Sequence, residues 1–181
     1  MTLERKVVLV TGAAGGIGRA ICSRLAAEGA ALALLDVGEA LDAWAGELAE
    51  RGAQVAAARA DVSQSVAVNQ AVASLADALG PIDGLVNNAG LTSIIAPLLR
   101  MDDAQWASDL GVNLTGPFNT IRAVLPGMVQ RRWGRIVNIS SMAARGGLWR
   151  QAGYSASKAG VIRPVVARIH RPVAALFGIP T

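Results

Sequence analysis

The whole chain holds one cysteine, Cys22, and one histidine, His170. No internal disulfide can form, and a zinc site of cysteine and histidine would run short of ligands. No metal is expected. Lysine is nearly as scarce: Lys6 and Lys158 stand alone among 17 basic residues, the rest being arginine, and Tyr154 is the only tyrosine. No apolar run approaches the ~20 residues of a membrane span. The opening MTLERKVVLV lacks a signal-peptide core and carries Glu4. A cytoplasmic protein without membrane contact is the expectation. The net charge of +4 is scattered except at Arg131, Arg132 and Arg135. So short a cluster reads as a solvated helix end and not as a nucleic-acid surface.

What is plentiful is apolar. Hydrophobic residues make up 52% of 181, enough for one domain with a core and too much for a disordered chain. The organising stretch is VVLVTGAAGGIG, Val7 to Gly18. Val7 to Val10 predicts a buried strand, Thr11-Gly12 opens a glycine-rich turn, and Ile17 to Leu25 takes up helical spacing. A strand, a glycine turn and a helix N-terminus form a phosphate cradle, because free N–H groups and the helix dipole meet the same anion. Two spacings fit: Gly12, Gly16 and Gly18 as TGxxxGxG, or Gly12, Gly15 and Gly18 as TGxxGxxG. An ordinary tight turn would look the same, so later residues must decide.

Gly29 ends that helix, and ALALL (Ala31 to Leu35) predicts a second strand stopping at Asp36, 18 residues after Gly18. An acid there accepts hydrogen bonds from the adenosine ribose hydroxyls of a dinucleotide. A carboxylate also repels a 2′-phosphate, and neither Ala14 nor Val37 supplies a compensating cation. NAD(H) is therefore expected over NADP(H). Further along, Glu39 to Arg51 predicts a helix, Gln54 to Ala60 a third strand running into Asp61-Val62, and Ser63 a cap for a helix reaching Leu79. Ile82 to Val86 predicts a fourth strand that runs into Asn87-Asn88-Ala89-Gly90. Alternating strands and helices predict an α/β fold, a doubly wound parallel sheet of Rossmann type. The glycine turn, Asp36, Asp61 and Asn87 to Gly90 then all fall at its carboxyl edge.

Taken together, TGAAGGIG, the acid ending the second strand, Asp61-Val62 and NNAG resemble the short-chain dehydrogenase/reductase family, in its single-domain branch. NNAG selects TGxxxGxG over the alternative, which belongs to the extended branch. The resemblance implies a nicotinamide cofactor held by Gly12, Gly16, Ile17, Gly18, Asp36, Asp61, Val62, Asn88, Ala89 and Gly90. Residues 1–162 read as that NAD(P)-binding domain and 163–181 as a divergent tail, not a second domain.

From Asp102 a long helix is expected, with Trp106, Leu110, Leu114 and Phe118 on an apolar stripe and Asn113 inside it. Asparagine is a poor mid-helix residue, and a local bend would explain it. The fifth strand, Arg135 to Ile139, runs into Ser140-Ser141, followed by Tyr154-Ser-Ala-Ser-Lys158. On a helix this i, i+4 pair shares one face, and a nearby ammonium favours the phenolate. By resemblance Tyr154 exchanges a proton with the substrate oxygen. Lys158 assists it and binds the nicotinamide ribose, Ser141 holds the substrate oxygen in preference to Ser140, and Asn113 holds a water in a proton relay. Both Tyr154 and Lys158 thus touch the cofactor. The implied reaction is hydride transfer between nicotinamide and a small carbonyl or alcohol, with 3-oxoacyl thioesters a common substrate class.

The resemblance stops near Ile162. Arg163-Pro164 and Arg171-Pro172 interrupt what relatives continue as one helix, and proline inside a helix costs ~3 kcal/mol. The last strands of the family fold are expected to be missing, which would leave the fifth strand as a sheet edge and weaken the homo-oligomer usual for the family. A catalytically impaired NAD-binding fragment is the alternative expectation.

Overall fold

The computed structural model describes residues 3–92 and 94–162. Its first strand, β1 (Val7–Thr11), is buried at all five positions. Such a run suits a parallel strand covered on both faces. Helix α1 (Gly16–Ala27) leads to β2 (Ala31–Asp36), α2 (Ala40–Glu50) to β3 (Val55–Arg59), and α3 (Ser65–Leu79) to β4 (Gly84–Asn87). The next segment comprises α4 (Asp103–Leu110), a π turn (Gly111–Thr115) and α5 (Gly116–Gln130). Strand β5 (Arg135–Asn138), the short α6 (Ala143–Gly146) and α7 (Ala152–Ile162) follow.

The strands lie in the order β3-β2-β1-β4-β5, all parallel. This is the expected doubly wound sheet. Period-two alternation divides each central strand between two cores. Val8 and Val10 of β1, with Leu32 and Leu34 of β2, pack on Cys22 of α1 and on Leu41, Trp44 and Leu48 of α2. Val7 and Leu9, with Ala31, Ala33 and Leu35, pack against Val68 and Leu75 of α3 and Ile121, Val124 and Met128 of α5. Cys22 is completely buried, and that burial pushes its thiol up to about 11. It is a core side chain, as its helical position suggested.

The chain leaves β1 in one direction through β2 and β3, then returns to β1's other side through β4. A cleft opens at such a reversal, beyond the strands' carboxyl ends. Among the described residues β5 pairs only with β4. The tail and its expected helix break lie outside the described residues.

Three local expectations need correction. Ser63 caps no helix: α3 begins at Ser65 after Gln64. The Asp61 carboxylate accepts the Ser63 N–H at 2.8 Å instead, an Asx turn that delays the helix. The apolar stripe from Trp106 to Phe118 is not wholly interior, since Trp106 and Phe118 are 39% and 40% exposed. The long helix is also not one α-helix. Asp102 starts it with a reciprocal capping box to Gln105, and the π turn then divides it around Asn113. Among the described residues no helix is long and apolar enough to cross a membrane.

Candidate active site

The glycine turn owes its shape to close approach. Gly12 has φ +63°, and a Cβ there would sit 2.8 Å from the Ala89 Cα. A Cβ on Gly18 would overlap the Gly12 carbonyl oxygen. Gly16 differs, since a Cβ on it would meet nothing within 4 Å. Gly12 and Gly18 therefore shape the turn, while Gly16 keeps its open side clear. Among the described residues no side chain caps α1, and no acid stands in its first turn. The N–H groups of that turn remain available to an anion, as a dinucleotide's pyrophosphate requires.

The NNAG segment clamps this turn from the neighbouring strand. The Asn88 side-chain amide donates to the carbonyls of Thr11 and Gly12, both at 3.0 Å. In return the Thr11 hydroxyl accepts the backbone N–H groups of Asn88 (3.1 Å) and Ala89 (3.0 Å). Asp36 ends β2 across the turn. Its carboxylate accepts the Ala14 N–H and the Gly38 N–H, both at 2.9 Å. Each oxygen keeps a lone pair for a ribose hydroxyl. Asp61 is exposed beside it, and the buried Val62 lies next in the chain.

On the far side, α7 carries the tyrosine and lysine. Lys158 is 5% exposed. Its ammonium donates to the Ile139 carbonyl at 3.0 Å and lies 5.8 Å from the centre of the Tyr154 ring. Burial holds this lysine below its usual range. The two adjacent serines part company here. The Ser140 hydroxyl donates to the Lys158 carbonyl at 3.0 Å, whereas the Ser141 hydroxyl accepts the Ala143 N–H at 3.2 Å. Ser141 thus keeps its proton free to donate.

Asn113 is fully buried, and its amide makes a paired contact with Leu91. The oxygen accepts the Leu91 N–H at 2.8 Å and the nitrogen donates to the Leu91 carbonyl at 2.9 Å. The π turn is what leaves an asparagine at this point, as such bulges do where a helix serves a site. A Cβ on Gly90 would lie 3.1 Å from the Asn113 oxygen and 3.5 Å from the Lys158 nitrogen. The side chains of Asn113 and Lys158 therefore converge on Gly90.

One open cleft of about 920 Å³ joins these parts, a size within the range of cofactor sites. Gly12, Gly16, Ile17, Gly18, Asp36, Asp61, Val62, Asn88, Ala89, Gly90, Ser141, Tyr154 and Lys158 all line it. Asn113 does not, and stands behind the Gly90-Leu91 wall. The lining suits a dinucleotide: a bare helix N-terminus, an open glycine and a held carboxylate. Among the described residues, no group of three or more histidine, cysteine, aspartate or glutamate side chains is placed to hold a metal.

The short chain dehydrogenase family matches residues 6–167 of the chain. The chain belongs to the short-chain dehydrogenase family. Within it, this member is 43% identical over 162 residues to Nodulation protein G of Azospirillum brasilense, covering 88% of this chain and 65% of that protein. It is 40% identical to acetoacetyl-CoA reductase of Allochromatium vinosum, covering 86% and 64%. It is 41% identical to the 3-oxoacyl-[acyl-carrier-protein] reductase of Thermotoga maritima, covering 90% and 66%. A crystal structure of NAD+-bound xylitol dehydrogenase superposes with a TM-score of 0.86 at 40% identity, covering 90% of this chain and 63% of that one. The chain therefore spans just under two thirds of the length of these relatives.

Some positioning residues escape a sequence reading. Asn119 donates to the carbonyls of Val62 (2.9 Å) and Ser63 (3.2 Å), fixing the Asp61-Val62 segment. Thr120 donates to the Asn87 oxygen at 2.6 Å, and Asn87 donates to Asn138 at 2.8 Å. Two adjacent polar residues inside an apolar helix were the available signal, since buried polar groups need partners.

Proposed function

We propose that the chain is an NAD(H)-dependent oxidoreductase that moves hydride between nicotinamide and an alcohol or ketone, with 3-oxoacyl thioesters among its substrates. The observation that carries this reading is the convergence of Ser141, Tyr154 and Lys158 on the cleft that Asp36 and the glycine turn also line. The acyl-thioester class rests on the acetoacetyl-CoA and 3-oxoacyl reductases among its relatives.

In this reading the first turn of α1 holds the pyrophosphate, Asp36 the adenosine ribose, Asp61 and Val62 the adenosine end, and Lys158 the nicotinamide ribose. The bound dinucleotide supplies or takes the hydride. Ser141 donates to the substrate oxygen and orients it. Tyr154 passes that oxygen a proton during reduction and takes it back during oxidation. Lys158 favours the phenolate, and Asn113 supports a water relay behind Gly90. Asp36 favours NAD(H) over NADP(H) by charge. Residues 1–162 act as one domain with 163–181 as its tail, in the cytoplasm, with a small-molecule carbonyl or alcohol as the partner and a homo-oligomer as the assembly.

The length covered supports a second reading, an NAD-binding fragment that turns nothing over, because about a third of each relative's length lies outside the match. A thermal melt with NADH or NADPH tests the cofactor, and carbonyl reduction by wild type and Tyr154→Phe tests the chemistry. Ligand at 100 times Kd adds ~2.7 kcal/mol, roughly 5–10 °C here. A rise with NADH, a smaller one with NADPH and turnover lost in Tyr154→Phe are expected. Binding without turnover would select the fragment, and a melt unmoved by either cofactor would sink both readings.

A further inference from the structure

Asp109, on the last turn of α4, is 0% exposed, and among the described residues its two carboxyl oxygens close no hydrogen bond. A buried, unpartnered carboxyl is costly, and chains retain such groups where they do something. Its surroundings show what. Helix α4 packs on α7, and a Cβ on Gly153 would stand 2.6 Å from the Asp109 Oδ2 and 2.9 Å from its Cβ. Only the missing side chain of Gly153 makes room for the carboxyl. Gly153 lies in the first turn of α7, immediately before Tyr154. The N–H groups of that turn have no partner within the helix, and negative charge beside them is favourable.

We propose that Asp109 is a positioning residue for Tyr154: through the gap at Gly153 its carboxyl stands against the first turn of α7 from a neighbouring helix, and its charge state sets the tyrosine's backbone position. This rests on the role given to Tyr154 above. Burial pushes the carboxyl above its ordinary value, and the Tyr154 N–H draws it back. Among the described residues few charges face it. Helix α7 contributes Tyr154 and Lys158, whose ammonium is turned to the Ile139 carbonyl, and the π turn contributes none. Arg150 stands on the segment entering α7, and Asp103 at the far end of α4. The Tyr154 N–H is therefore a local reporter of the Asp109 proton.

Because Tyr154 is the only tyrosine, the full chain labelled with 15N-tyrosine gives a single backbone amide signal. That signal is followed from about pH 4 to about pH 8, across the carboxylate range and beyond, in wild type, Asp109→Asn and Asp109→Leu. The wild-type signal should titrate with a midpoint above 3.8, and Asn should abolish the titration while keeping a sharp signal. Turnover should fall on the order of 10- to 100-fold in Leu, as a misplaced catalytic group requires. The KM for NADH should hold, and Asn should restore most of the rate. An amide that does not titrate in wild type, or titrates equally in Asn, overturns the proposal. If Leu does not fold, the comparison of wild type with Asn decides. Loss of the NADH response with the Asp109 titration intact would instead remove the functional reading and leave the contact standing.

Discussion

Ser140 and Lys158 are tied by a hydrogen bond from the serine hydroxyl to the lysine's backbone carbonyl, 3.0 Å long. The bond joins the end of β5 to the middle of α7 and commits the Ser140 proton to structure. Ser141, its neighbour, has a proton to give. Ser140→Ala should therefore cost about 1 kcal/mol of stability and leave part of the activity. Ser141→Ala loses only the longer bond from the Ala143 N–H, so it should cost no more stability than Ser140→Ala, bind NADH normally and lose turnover by about 10²-fold or more. Paired melts and steady-state rates separate the two, and equal kinetic losses would contradict the division of labour.

Gly16 and Gly18 should respond to alanine in opposite ways. At Gly18 the new Cβ collides with the Gly12 carbonyl, and backbone cannot yield as a side chain does. A loss of about 1–3 kcal/mol or more is expected. At Gly16 the Cβ meets open space on a helix's first turn. Alanine there should be neutral or add up to ~1 kcal/mol while weakening NADH binding. Melting and cofactor titration of the two variants check this, and a Gly16→Ala chain with full affinity would remove that glycine from the cradle.

Asp36 has a structural task and a proposed selective one. Its carboxylate holds the glycine turn through Ala14 and the following loop through Gly38. Asp36→Asn keeps the shape but only one acceptor, removes the charge, and turns its NH2 against one of the two N–H groups, so some stability is lost as well. A charge-assisted hydrogen bond contributes about 1.5–3 kcal/mol, so NADH should bind roughly 10- to 100-fold more weakly. NADPH should lose less or gain, because the repulsion of its 2′-phosphate is relieved. Isothermal titration with both cofactors is the check, and an unchanged ratio would take Asp36 out of selectivity.

How legible these features were depends on whether a residue's task is local. Val7 to Gly18 announces strand, turn and helix because each part uses the residue types its backbone needs. Ser141 could be preferred only by family spacing, since the hydroxyl that separates it from Ser140 depends on a carbonyl in α7. The π turn at Asn113 was visible as a misfit without a form. Asn119 and Thr120 showed only as polar residues in an apolar helix, and neither they nor Asp109 named a partner, because those partners lie 57, 33 and 44 residues away. Periodicity reports which face a residue occupies and says nothing of what meets it there.

Lys158 gives the fold a dependence on pH whose sign can be worked out. Burial holds its folded-state value below the ordinary one, which is ~10.4. Between those two values the unfolded chain binds the proton that the folded chain has shed. Stability must therefore rise with pH across that window and level off above it. Lys158→Met removes the titration, and the loss of its bond to Ile139 adds an offset that does not vary with pH. The difference in melting temperature between wild type and Lys158→Met should thus grow in favour of wild type as pH rises toward 10.4. The measurement is a pair of melts at each pH from about 7 upward. A flat difference would mean that Lys158 is not desolvated, and the convergence of Asn113 and Lys158 on Gly90 would have to be more open to water than their burial indicates.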